Sequence, residues 1–192
     1  MEQYSVDGRG RAETYVTLAV VALALAYLSR RIVVASHVEV PWWFDAPSFA
    51  GFYGIVHVVY DRWLWRVRAL GVRLSEIPDF SGRWQGSIRA HAAEGGFVEI
   101  AIVVTISQTW SRVAVHGRTA DGTTRSRIAG VRVAEEELRY EYEAHTTIER
   151  VHHFGFSMQH RVDDDTLEGF YYNFEGETTH GWVSLHRASG RP

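Results

Sequence analysis

Aromatic and hydroxyl side chains crowd the second half of the chain: Thr109, Trp110, Thr124, Ser126, Tyr140, Tyr142, Tyr171, Tyr172, Asn173 and Thr179. Aromatic walls set with a few polar groups suit a flat, polar ligand such as a nucleobase. The plainer reading is that residues such as Tyr140 and Tyr142 fill a core. Other chemistries are excluded by composition. There is no cysteine, so disulfides, thiolate metal sites and cysteine nucleophiles are absent. All 20 basic residues are arginine, which removes Schiff-base chemistry and a P-loop lysine. Ten histidines invite a metal, but His152 and His153 are adjacent and would point to opposite faces of a strand. His145, His160, His180 and His186 lack tight ligand spacing, so no metal is expected. Asp163-Asp164-Asp165 lacks the downstream glycine and glutamate of a calcium loop and reads as a hairpin turn. No Ser-His-Asp arrangement, phosphate loop or paired-carboxylate motif stands out, so ligand binding is expected rather than catalysis. A net charge of −3 argues against polymeric nucleic acid as a partner.

The elements that would carry these residues have a period of two. In Val98-Glu-Ile-Ala-Ile-Val-Val-Thr-Ile106 the even-numbered positions are large and apolar, and Leu138-Arg-Tyr-Glu-Tyr-Glu-Ala144 alternates more strictly still. Such alternation means a sheet with one buried face. Strands are expected at 82–90, 97–108, 110–117, 123–134, 138–145, 152–161, 166–174 and 179–187. Turn signals separate them: Glu94-Gly95-Gly96, Asp121-Gly122, Glu135 to Glu137, Asp163 to Asp165 and Glu175-Gly176. Eight short strands joined by tight turns predict an antiparallel up-and-down β-barrel, lipocalin-like, with a two-sheet sandwich as the alternative. A barrel of that strand number can enclose one small ligand. Gly82-Arg83-Trp84 opens the first strand and Arg187 closes the last, which resembles lipocalin-like barrels, where a Gly-x-Trp tryptophan plugs the base and a late arginine stacks across it.

The first third reads as a membrane segment. Tyr15 to Leu28 is apolar apart from Thr17, and a helix from Ala12 to Ala35 would span if Arg30 and Arg31 snorkel. A second span is expected from Ala46 to Tyr60, bracketed by Trp42, Trp43, Trp63 and Trp65 as a membrane interface selects. Pro41 and Pro47 stand at its entry, and Glu39 to Asp45 forms the connecting turn. Gly51 and Gly54 would let helix backbones approach closely. His57 within the span is read as a neutral histidine bonded to the partner helix, with a proton path as the other reading. A cleaved signal peptide would need small residues after Leu28, where Ser-Arg-Arg stands. Arg9, Arg11, Arg62, Arg66, Arg68 and Arg73 flank the pair, against Arg30 and Arg31 near the turn. The excess puts both termini and the barrel in the cytoplasm. The expected organisation is a transmembrane hairpin and linker over 1–76 and a ligand-sensing barrel over 77–192.

The stretches Asp79-Phe-Ser-Gly-Arg-Trp-Gln-Gly86, Gln108-Thr-Trp-Ser-Arg112, Leu138-Arg-Tyr-Glu-Tyr142 and Leu167-Glu-Gly-Phe-Tyr-Tyr-Asn173, closing with Thr179-His-Gly181 and Arg187, carry a resemblance. In their order and spacing the chain resembles the CBASS antiphage effectors that join two transmembrane helices to a β-barrel and are encoded beside cGAS/DncV-like nucleotidyltransferases. The resemblance implies a receptor without cofactor or enzymatic activity. Its barrel binds a cyclic dinucleotide, self-association follows, and the clustered helices disrupt the inner membrane, arresting or killing the infected cell. A basic residue expected before the Thr-x-Gly is replaced by Glu175-Gly176-Glu177, so the phosphates need other donors. Arg112, Arg125 and Arg127 are the candidates, because guanidinium forks match phosphate oxygens. On this reading the ligand-binding residues are Thr109, Trp110, Arg112, Arg125, Arg127, Tyr140, Tyr142, Tyr172, Asn173 and Thr179. The alternative is a membrane-tethered, lipocalin-like binder of an apolar small molecule.

Overall fold

The computed structural model describes residues 2–3, 5–7, 10–36, 45–69, 72–91, 95–120, 122–146, 152–174 and 180–188. Thr179, the Glu175-Gly176-Glu177 turn, Pro41, Trp42, Trp43, Glu94, Asp121, Arg9 and the turn before Asp45 lie outside the described residues. The chain divides into two compact units. One is Gly8–Glu76; the other is Ile77–Pro192 joined by Met1–Asp7.

In the first unit α1 spans Gly10–Ala35 and α2 spans Asp45–Arg62. The Ala, Val and Leu run of α1 has neither proline nor internal glycine to break it. Its hydroxyls turn back onto the helix: Thr17 Oγ1 donates to the Glu13 carbonyl at 2.9 Å and Ser29 Oγ to the Ala26 carbonyl at 2.8 Å. Such bonds satisfy these two hydroxyls within the helix itself. Leu18 and Ala22 are buried, whereas Val16, Val20, Leu23, Tyr27 and Ile32 are exposed. Among the described residues α1 is the one helix long and apolar enough to cross a membrane. The Tyr15 ring lies parallel to the His57 ring, 6.0 Å between centroids, so an early residue of α1 meets a late residue of α2. Gly51 and Gly54 do not make the close approach within the chain that their spacing suggests. A Cβ at either would meet nothing within 4 Å. After α2 come a 3₁₀ turn at Leu64–Arg66 and the short hairpin of β3 (Arg68–Ala69) and β4 (Val72–Arg73).

The second unit is the barrel: β5 (Gly82–His91), β6 (Phe97–Gln108), β7 (Arg112–Arg118), β8 (Gly122–Arg132), β9 (Glu137–Thr146), β10 (His152–Asp163), β11 (Thr166–Asn173) and β12 (His180–Arg187). Each pairs antiparallel with the next in sequence, and β12 returns to β5, so the ring closes as an up-and-down barrel and not a sandwich. Alternation puts Trp84, Val104, Ile106, Leu138, Leu167 and Leu185 in one buried cluster inside it.

The β7–β8 seam is the thin place. Among the described residues, His116↔Arg125, Gly117↔Thr124 and Arg118↔Thr123 pair across it. Beyond them the β8 register shifts between Ser126 and Ile128, and the Val115 amide bonds the Ser126 hydroxyl at 2.9 Å instead of a backbone carbonyl. The bulge lies in the pairing with β9, and it bends β8 and increases its twist locally. The wedge is filled from the start of the chain. β1 (Glu2–Gln3) pairs antiparallel with Val113 and Arg112, and β2 (Ser5–Asp7) pairs parallel with Gly130, Val131 and Arg132. The residues read from sequence as part of the helical segment thus complete the barrel. Deleting residues 2–7 should lower the melting temperature by roughly 3–8 °C, about 1–2 kcal/mol, and speed amide exchange at 113–115 and 129–132. An unchanged melt with unchanged exchange there would contradict this closure.

Candidate ligand site in the barrel lumen

The barrel is sealed at the end where β5 begins. Gly82 has φ 138°, a conformation open to glycine, and a Cβ there would come within 2.7 Å of Arg187 Nη1. Arg187 and Trp84 are register partners, so both point inward at the same level. The guanidinium lies 4.3 Å over the indole, as the Gly-x-Trp and terminal arginine predict. The indole Nε1 donates to the Phe80 carbonyl at 2.9 Å, and Arg187 Nη1 donates to the Ser81 carbonyl at 2.9 Å. A second arginine, Arg161, stacks 4.9 Å over Phe80 and donates to the Asp79 carbonyl. The Asp163 to Asp165 turn also belongs to this end. The Asp165 amide and the Thr166 hydroxyl hold the Asp163 carboxyl below its usual range, and Asp165 pairs with Arg187 at 3.2 Å.

Among the described residues the opposite end is the more exposed. Val98 and Ile100 occupy inward positions of β6 yet are 49% and 36% exposed, so solvent reaches the interior past them. Between mouth and floor stand the polar groups. Tyr142 Oη donates to Asn173 Oδ1 at 2.7 Å. Gln159 Nε2 donates to Tyr140 Oη at 2.9 Å and lies 3.4 Å from Ser157 Oγ, which donates to the Phe170 carbonyl at 3.2 Å. Gly155 is required beneath Tyr142, since a Cβ there would lie 2.4 Å from the phenol ring. Burial pushes the phenols of Tyr140, Tyr142 and Tyr171 up, with mutual repulsion adding to the effect at Tyr142. All three remain neutral donors at physiological pH. Among the described side chains, the charged groups at inward barrel positions are Arg161 and Arg187, both at the floor.

Of the residues proposed from sequence, Tyr140, Tyr142 and Asn173 come together here. Thr109, Trp110 and Arg112 form the β6–β7 turn at the sealed end, where the Thr109 amide bonds the Arg112 carbonyl at 2.7 Å. Arg125 and Arg127 are exposed on the outer wall, Arg127 stacking 5.2 Å from the Phe154 ring. Tyr172 also faces outward, 43% exposed and stacked on His180, while its neighbour Tyr171 points in. Gln159 and Ser157 were missed because β10 inverts the usual pattern: Phe154, Phe156 and Met158 lie outside, and Gly155, Ser157 and Gln159 are buried inside. The available signal was the polar parity of Ser157 and Gln159, in step with the glycines of β10 and β11.

A closed eight-stranded barrel, sealed at one end and lined in part by polar groups, is an architecture that can hold one small ligand. The chain belongs to the family of the Cap15 cyclic dinucleotide receptor domain, which matches residues 75–187, and with it to the CBASS effectors. It is also 27% identical to CD-NTase-associated protein 15 of Yersinia aleksiciae, across 97% of this chain and 96% of that protein.

Two outcomes follow from the site. Replacing Arg187 by alanine removes the stack and its carbonyl bonds and should cost about 2–3 kcal/mol in denaturant unfolding, with lysine intermediate. Equal stability of all three proteins would refute the role of the stack. The raised phenols set a pH window. Unfolded phenols ionise near pH ~10, before the folded ones, so their contribution is fully present below that pH and is lost as pH rises above it. Phenolate absorbance from these three residues should appear only with loss of structure; titration in the intact fold near pH ~10 would contradict their burial.

Proposed function

We propose that the chain is a membrane-tethered cyclic dinucleotide receptor whose occupied barrel self-associates and disrupts the bacterial inner membrane, arresting or killing the infected cell. The observation that carries this reading is the neutral, hydrogen-bonding interior of a barrel that belongs to a cyclic dinucleotide receptor family. Tyr140, Tyr142, Ser157, Gln159 and Asn173 are its contacts, and the ligand comes from a cognate nucleotidyltransferase. The exposed apolar surface of α1 supports insertion in lipid, with α2 as the returning span and the barrel in the cytoplasm. Phe170 and Trp182, register partners on the outer wall, add apolar surface suited to contact between copies. β2 ends two residues before α1 begins, so the strand that fills the seam is also the shortest covalent path from barrel to membrane.

The apolar rim of Ile88, Ala90, Val98 and Ile100 favours a second reading, a carrier of an apolar molecule. Titration calorimetry of the full chain in detergent separates the two. A cyclic dinucleotide should bind, and Tyr142→Phe should weaken it about tenfold or less, the worth of one hydrogen bond. Copurifying lipid with no nucleotide binding would favour the carrier. Gly51→Leu and Gly54→Leu meet open space within the chain, so any effect reports on association. Both should retain ligand binding while reducing growth arrest; undiminished arrest would argue against close helix packing between copies.

A further inference from the structure

The amide of Gln159 is 1% exposed, and its bonds run one way. Both Nε2 hydrogens are directed at Tyr140 Oη and Ser157 Oγ, and the serine hydroxyl in turn donates to the Phe170 carbonyl. Among the described residues nothing donates to Gln159 Oε1, which is buried. A buried acceptor left empty is costly, and it can be satisfied only by an N–H or O–H.

That requirement sorts the parts of a nucleotide. Phosphate oxygens accept and cannot pair with another acceptor, and an aliphatic tail has nothing to give. The amino and imino groups of a base donate; a ribose hydroxyl does too, but it sits on the ring that carries the phosphates and would bring their charge into the interior with it. Charge agrees with this. The inward arginines, Arg161 and Arg187, are stacked on Phe80 and Trp84 at the floor and engaged by backbone carbonyls. A phosphate sunk among the neutral phenols would lose its hydration without gaining a counter-charge. Resting on the receptor reading above, we infer that Gln159 Oε1 accepts a base N–H and is a specificity-determining contact: the cyclic dinucleotide enters one base first, leaving its phosphates at the mouth.

The test uses the full chain in detergent micelles and calorimetry with cyclic di-AMP, cyclic di-GMP and cyclic di-UMP. Each is paired with a counterpart methylated at the base nitrogens that donate. Gln159→Met removes the acceptor at similar size. For the ligand that binds, methylation and Gln159→Met should each weaken binding about tenfold, and together scarcely more than either alone. Additive losses, or unchanged affinity in Gln159→Met, would overturn the contact. If that variant fails to fold, undiminished binding of the methylated ligand to the unsubstituted protein overturns it as well. Failure of the unsubstituted protein to bind any of the three would sink the receptor reading itself.

Discussion

A barrel can hide polar groups from water only if one end is shut, and here the shutting is done by an arginine laid on a tryptophan. Trp84 and Arg187 face each other across the pair of strands that closes the ring, so the contact requires the first and last barrel strands to be in register. The indole fills the base, and the guanidinium covers it while satisfying backbone carbonyls that would otherwise be stranded. Gly82 leaves room for that guanidinium. Phe80 and Arg161 repeat the arrangement beside it, held by Gln108, whose side chain accepts from the Phe80 amide and donates to the Pro78 carbonyl.

The state of the interior depends on that floor. Three phenols and a carboxamide are buried without charge, and burial holds the phenols neutral. A neutral, hydrogen-bonding interior suits a molecule whose recognised part is flat and polar, with charged groups left nearer solvent. The fold and the family therefore agree in chemical terms.

The ring has one weak side as well as one strong end. Past three paired positions β8 parts from β7, and five residues near the start of the chain pair along the two edges as β1 and β2. The same segment runs into α1 almost at once. In sequence the barrel and the helix look like separate modules; in the structure the helix is preceded by a piece of barrel wall.

The eight barrel strands were legible because half-buried strands alternate with period two and tight turns interrupt them. Trp84 and Arg187 were legible because a closed meander brings its ends together. Adjacent candidates were harder to separate. Tyr171 and Tyr172 are the same residue type on opposite faces, and β10 turns its phenylalanines outward, so hydrophobicity misreads which of its residues line the interior. Arg125 and Arg127 suited phosphate by chemistry, yet the face each occupies follows from register and a bulge that no local pattern records. The N-terminal strands were invisible for a related reason: a segment so short has no periodicity, and its pairing partners lie more than a hundred residues away. Local alternation and turn chemistry thus determined which elements exist. Which side chains meet inside the barrel was decided only when distant strands locked their register, because a shift of one residue exchanges the two faces of a strand.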